Sequence, residues 1–351
     1  MKHFYTFLCW LAVLILWGCA ASVYASPAVW GKWLSLFGLG FPFCVALVVA
    51  LACIGAVART KLAFIPVAGL LLCFGSLRDY CPVNLSSPPP KNSLKVITYN
   101  TFNFGAWLTD EQGDFEVVKF LLRERPQLAS LQETSIKKPE QRERLVKMLH
   151  RYGYHYAETL PGQAPIALIS RWPIVRQETV FHRDGNAGAA YYVVPRSGDT
   201  LIVVNVHMRS MQLTQEDRSS YRYMVHNPED AEQVKGKRRL LGKIAAAGTE
   251  RAHEADTLAA FIDRHKNDKL ILTGDFNDTP ISYAHHKVCQ RLTDTFRATG
   301  NGIGRSFNKD AIYVRIDHLF CSDQFKPFAA RVMSEVPFSD HYPIVAYLQP
   351  K

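Results

Sequence analysis

Apolar positions come in two distinct patterns along this chain, and the change of pattern falls near residue 90. Phe4 to Ala25 is apolar apart from Thr6, Ser22 and the hydroxyls of Tyr5 and Tyr24, which is enough to cross about 30 Å of hydrocarbon. Phe41 to Ala58 carries no charge, and Leu62 to Ser76 is a third, shorter run of the same kind. Three spans are expected. A cleaved signal peptide is the alternative for the first run, because Val23-Tyr24-Ala25 resembles a small-residue cleavage site. Residues 83–93, with a Pro88-Pro89-Pro90 triplet, predict a stiff, extended linker reaching roughly 35 Å at about 3.1 Å per residue.

From Leu94 the runs shorten and alternate with helical periodicity. Strands are predicted at Leu94–Tyr99, Leu128–Glu133, Tyr154–Glu158, Pro165–Ser170, Ile174–Thr179, Ala190–Val194 and Leu201–His207, and helices at Phe115–Arg125 and Pro139–Arg151. A polar connection from Met208 to Asp230 has the length and mixed charge of a mobile cover over a site. A long helix over 231–265 is expected to be weakened or interrupted at Gly236, Gly242 and Gly248. Strands then recur at Lys269–Thr273, Ile312–Phe320, Ala329–Ser334 and Ile344–Leu348. Successive strands with short connections indicate antiparallel pairing. The expected fold class is α/β: a four-layer sandwich of two packed mixed sheets with helices outside, behind a membrane segment. The expected division is 1–82 anchor, 83–93 linker and 94–351 catalytic domain.

Charge changes little in this picture. Of 41 Lys/Arg and 31 Asp/Glu, six and one lie in the first 91 residues, so the other 260 residues hold 35 against 30. Only half of the formal +10 belongs to the soluble part, which argues against a dedicated duplex-DNA binder. Lys2, Arg59 and Lys61 fall on one side of a three-span arrangement and Lys32 on the other, placing the N-terminus inside and the catalytic domain outside the cytoplasm. Six of the eight cysteines lie in or beside the apolar runs, and none has metal-ligand spacing.

The candidate chemistry lies at strand ends. Tyr99-Asn100, Gln132-Glu133-Thr134, Asn205-Val206-His207, Gly274-Asp275-Phe276-Asn277, Ile316-Asp317-His318 and Ser339-Asp340-His341 each close or flank a strand. On an extended segment Asp275 and Asn277 would point to the same side, a carboxylate beside an amide, as water activation next to an anion requires. Convergence of these ends would gather Glu133, Asp275, Asp317 and Asp340. Clustered carboxylates repel unless a cation neutralises them, and oxygen ligands without cysteine suit Mg²⁺, with Mn²⁺ or Ca²⁺ as alternatives.

In this order the motifs resemble the endonuclease/exonuclease/phosphatase superfamily over about Leu94 to Leu348, and the apolar start is similar to its membrane-anchored bacterial members. The resemblance implies that Asn100 and Glu133 hold the metal with Asp340 close by. It implies that Asp275 orients or deprotonates the attacking water and that Asn277 binds phosphoryl oxygens. His341, paired with Asp317, would be a general acid/base or charged donor, and His207 a second phosphate-binding histidine. Two departures stand out: Phe102 where abasic-site endonucleases have Asp or Asn, and His207 where they have Asn. Both point away from abasic-site repair. The resulting expectation is a monomeric Mg²⁺-dependent phosphodiesterase, multi-pass in the bacterial inner membrane, acting on a phosphate ester. The alternatives are a nuclease acting on DNA or RNA, and an inactive binding module on the same fold.

Overall fold

The computed structural model describes residues 2–160, 164–183, 185–212, 214, 216, 217, 219, 223, 234–309 and 314–351. These form two compact units. One holds residues 1–81, 211–253 and 279–286; the other holds 82–210, 254–278 and 287–351.

In the first unit, the helices Lys2–Ala21 and Ser35–Val57 pack through Cys9, Val13, Leu16, Phe41 and Val48. Small residues set the spacing: a Cβ on Gly69 would lie 2.6 Å from the Val13 side chain, and one on Gly55 2.8 Å from Ala63. Tyr5 and Trp17 keep their polar tips satisfied by donating to the carbonyls of Leu51 and Gly69 at 2.7 and 3.1 Å. Phe4, Phe7, Leu14, Phe43 and Phe64 face outward, as lipid-facing side chains do. Two helical stretches, Lys2–Tyr24 and Lys32–Val57, are long and apolar enough to cross a membrane. The third expected run is a pair of helices, Lys61–Leu72 and Phe74–Tyr80, bent by 62°. Counted as one span, the pair brings the stretches apolar enough to cross to three among the described residues; otherwise there are two.

The second unit is built on two mixed six-stranded sheets. Its strands are β1 Leu94–Asn100, β2 Leu128–Gln132, β3 His155–Thr159, β4 Ile166–Ser170, β5 Ile174–Arg183, β6 Asn186–Val193, β7 Leu201–His207, β8 Lys269–Asp275, β9 Thr293–Asp294, β10 Asp317–Cys321, β11 Phe325–Val332 and β12 Ile344–Pro350. The orders are β11-β12-β1-β2-β4-β3 and β5-β6-β7-β8-β10-β9. Among the described residues only β1/β2 and β7/β8 are parallel. Alternate residues divide between layers, as the twofold strand period demands. Val96, Leu128, Leu168, Val203, Ile271 and Leu319 fill the space between the sheets. Ile97, Tyr99, Leu131 and Ile169 face the helices Glu116–Glu124 and Pro139–Arg151 through Val117, Leu121, Leu145 and Leu149.

The inward face is not uniform along the strands. It runs Val96, Thr98, Asn100 on β1; Leu128, Ser130, Gln132 on β2; Val203, Asn205, His207 on β7; and Ile271, Thr273, Asp275 on β8. One end of the interlayer space is therefore hydrocarbon and the other amide, carboxylate and imidazole. Parallel register sets Asn100 beside Gln132 and His207 beside Asp275, and antiparallel β10 sets Asp317 beside Asp275. The two sheets are fastened at this polar end. Gln132 donates to Asn205 Oδ1 at 2.6 Å, and the Asn205 amide donates to the carbonyls of Leu131 and Ala167 at 2.9 and 3.0 Å.

Several expectations shift. The long helix runs from Val234 to Arg264 without interruption. A Cβ at Gly248 would lie 2.3 Å from that of Ser35, so this glycine serves a close approach rather than a break. Residues 314–316 do not open β10; Ser306 captures them instead, its Oγ accepting from the backbone N–H of Ile316 and Asp317 at 3.0 and 3.1 Å. The extended stretch 83–93 is docked at its start. Asn84 bonds Asn301 Oδ1 at 2.6 Å and the carbonyls of Arg297 and Gly300 at 3.1 and 2.6 Å, while Gly302 N–H reaches Pro82 O at 2.9 Å. Most of the expected cover after Met208 lies outside the described residues.

Candidate active site

Asp275 is the innermost group of the polar end, 1 % exposed at the close of β8. Gly274 before it has φ +145°, and a Cβ there would sit 2.0 Å from Val206 O, so only glycine lets β8 lie this close to β7. Asp275 Oδ2 accepts from the Asn100 amide at 3.0 Å, across the gap between sheets. The same amide nitrogen donates to Glu133 Oε1 at 3.0 Å. His207 Nε2 stands 3.7 Å from Glu133 and 3.8 Å from Asp275. His341 Nε2 is 3.7 Å from Asp275 Oδ2, and its Nδ1 is hydrogen-bonded to Asp317 Oδ2 at 2.8 Å. Asp340 adjoins this group, and Ser339 ties the segment down by donating to Asn100 O at 2.8 Å.

Backbone in the left-handed region surrounds these residues. Glu133 has φ 50° and Asn277 φ 51°. β8 ends at Asp275, so Asn277 is not on an extended segment and the same-side expectation fails. Instead its N–H donates to Asp275 Oδ1 at 2.8 Å and its amide to Met208 O at 3.0 Å, a turn that keeps it beside the carboxylate. Phe102 to Trp107 all have φ between 46° and 71°, a left-handed turn directly after Asn100. Such a turn costs roughly 1–2 kcal/mol for each non-glycine residue. Thr101 and Asn103 bind it to Glu133 O at 2.8 Å each, and Phe104 stacks on Phe115 with centroids 4.7 Å apart. Strain of this kind persists at sites where the surrounding structure over-determines it.

Residues 97–341 match the family model described as Endonuclease/Exonuclease/phosphatase family. The chain belongs to that family. Residues 2–80 match a second model, described only as a domain of unknown function, DUF8431. Among curated proteins none matches the chain. Two solved structures of the family from Bacteroides are similar in fold. The one from Bacteroides thetaiotaomicron has TM-score 0.51 and 15% identity over 75% of this chain and 98% of that one. The one from Bacteroides vulgatus has TM-score 0.50 and 15% identity over 74% and 100%. The human Nocturnin catalytic domain has TM-score 0.50 and 13% identity over 75% and 97%.

Members of the endonuclease/exonuclease/phosphatase family are typically metal-dependent phosphoester hydrolases, and the buried groups here suit a metal ion. Ligand atoms of Asp275, Asp317 and His341 lie within 4.8 Å of one another. Asp317 Oδ1 is buried with no hydrogen-bond partner among the described residues. Burial, then the Asp317 charge, raises the pKa of Asp275, against the lowering effect of His341, His207 and the Asn100 bond. A divalent cation would relieve that repulsion, and a donor set rich in carboxylate oxygen fits a hard ion.

All eight residues expected from the sequence border this one end of the sheets. The supporting groups Ser306 Oγ and Met208 O were not expected, because a lone hydroxyl and a backbone carbonyl carry no signal in a single sequence. His318 bonds Asp278 O at 3.0 Å and braces the turn after β8.

Burial alone would lower the pKa of His341, but Asp317, Asp275 and Asp340 outweigh it and raise the value from 6.5 to about 10. Because the folded value is the higher one, this stabilisation is complete below about pH 6.5 and is lost as pH rises through about 10. Chelator-treated full-length protein should therefore show a denaturation midpoint that falls between pH 7 and pH 10, with a shallower fall in His341→Asn. Equal slopes in the two proteins would contradict the His341 assignment.

Proposed function

We propose that this chain is a divalent-metal-dependent phosphodiesterase held at the bacterial envelope, with its catalytic domain in residues 94–351 and its anchor in 1–82. The observation that carries the proposal is the meeting of Asn100 and Asp275 across two sheets beside the hydrogen-bonded His341–Asp317 pair. Glu133 and Asn100, with Asp340, would hold Mg²⁺ (or Mn²⁺), which supplies positive charge to the phosphoryl oxygens. The Asp275, Asp317 and His341 trio, whose ligand atoms lie within 4.8 Å of one another, is the alternative ligand set. Asp275 orients the attacking water and takes its proton; its raised pKa suits it to accept one. Against the lowering effect of burial, Asp317 and Asp275 raise the pKa of His341, which suits the ring to donate to the phosphate or leaving group. Asp317 accepts from its Nδ1–H and fixes the orientation of the ring. Asn277 spends one amide hydrogen on Met208 O and keeps the other for a phosphoryl oxygen. His207 faces the same space.

Substrate choice follows from the tether and the charge. A free linker of residues 83–93 would reach roughly 35 Å. The bonds at Pro82 and Asn84 hold its first residues on the catalytic unit and shorten that reach. Esters delivered at or near the membrane fit this better than chromosomal DNA. The mild net charge of the soluble part favours small phosphodiesters over long duplexes.

Turnover of bis(4-nitrophenyl) phosphate by the detergent-solubilised chain should require Mg²⁺ or Mn²⁺. Glu133→Gln, Asp275→Asn and His341→Ala should each lower kcat by on the order of 10²-fold or more. Full activity in any of these folded variants would remove that residue from the mechanism.

The number of crossings decides the side. Three spans with the N-terminus inside export the catalytic domain, whereas two return it to the cytoplasm. The Lys/Arg distribution supports the inside N-terminus, and the three apolar runs support three spans. Alkaline phosphatase fused after Ser93 should be active and a cytoplasmic reporter at the same point silent; the reverse result would show the orientation to be wrong.

A further inference from the structure

Lys309 stands at the edge of the active site and takes no part in the mechanism above. Its ammonium lies 3.9 Å from Asp340 Oδ2, beyond hydrogen-bond distance, and 4.9 Å from the centre of the Phe102 ring. The side chain is 49% exposed, so this end of the cluster presents a cation to solvent.

The arm carrying it is held at several points. Tyr342 N–H donates to Ser306 O at 2.6 Å, Asn308 N–H to Asp340 O at 2.9 Å, and the Asn308 amide to Ser339 O at 3.1 Å. The Phe307 ring meets the His341 ring edge-on with centroids 5.1 Å apart. A lysine on a loose loop would be a solvated charge with no address. This one is delivered from a pinned backbone, over an aromatic ring, to the carboxylate beside the general acid.

Its partner there is poor. A half-exposed pair at 3.9 Å contributes little. A divalent ion beside Asp340 would neutralise the carboxylate and repel the ammonium. Lys309 is then left facing the substrate without a counter-charge, and an anion on the substrate would complete it. We propose that Lys309 recognises a second anionic group on the substrate, so that the site prefers diesters bearing an additional phosphate over diesters whose other substituents are neutral or cationic. This rests on the phosphodiesterase reading and narrows its substrate class. A headgroup ending in a quaternary ammonium would meet Lys309 with like charge, whereas a phosphorylated sugar, polyol or nucleotide would not.

Two chromogenic substrates with the same reacting centre test it: thymidine 5′-(4-nitrophenyl phosphate) with and without a 3′-phosphate. The wild type should favour the 3′-phosphorylated compound by roughly tenfold in kcat/KM, through KM. Lys309→Ala should erase that preference and leave the other substrate unchanged, and Lys309→Arg should restore it. Equal use of both substrates by the wild type, or an equal loss on both in Lys309→Ala, overturns the inference; the latter would make Lys309 a counter-charge for Asp340 only.

Calorimetric titration with thymidine 3′,5′-bisphosphate and thymidine 5′-phosphate, with Ca²⁺ and without metal, reads the same contact without turnover. Lys309→Ala should weaken the bisphosphate several-fold and spare the monophosphate. Absent hydrolysis with a Lys309-dependent bisphosphate preference would retire the phosphodiesterase reading alone. Hydrolysis of both diesters with no such preference would retire this inference alone.

Discussion

A single side-chain hydrogen bond, from the Asn100 amide to the Asp275 carboxylate at 3.0 Å, joins the end of the central strand of one sheet to the end of the central strand of the other. Everything else at the site is arranged around that junction. Asp275 is buried beside Asp317, a placement that costs free energy unless donors and positive charge surround it. Asn100, His207 and His341 provide them from three different strand ends or loops, and Asn277 from a fourth. The cluster exists only when both sheets are in register. The Gln132–Asn205 clasp behind it holds that register with neutral groups, which lose less on burial than charges would.

The same principle explains why the strands change character along their length. Valine, leucine and isoleucine occupy the inward positions near one end, where the sheets exclude water. Threonine and serine follow, then amide, carboxylate and imidazole. An interlayer space apolar throughout would be more stable but could carry no chemistry. Here the hydrocarbon end supplies the cohesion, and the polar end spends part of it on clustered charge and left-handed backbone at Glu133, Asn277 and the turn from Phe102 to Trp107.

Much of this was legible in the sequence, because strand periodicity and motif order are local properties. The ends at Asn100, Glu133, His207, Asp275, Asp317 and His341 could be read off, and so could the two-sheet architecture. What could not be read depended on contacts distant along the chain. The left-handed turn is imposed by Thr101, Glu133 and Phe115 rather than by its own sequence. Asn277 leaves the strand because Met208 and Asp275 bind it. The glycines of the long helix look like breaks until Gly248 is seen against Ser35. The linker looks free until Asn84 is seen bonded to Asn301. Two crossings against three turns on a bend at Cys73 that hydropathy does not register.

The most direct measurement of the central claim, that these converging strand ends form one water-activating hydrolytic site, is a single-turnover reaction in H₂¹⁸O with Mg²⁺ and a simple phosphodiester. The account predicts one ¹⁸O atom in each phosphate product formed by the wild-type chain, and no product above background from Asp275→Asn over the same interval. Product without label would mean that water does not attack phosphorus. Labelled product formed at the wild-type rate by Asp275→Asn would mean that the chemistry takes place elsewhere.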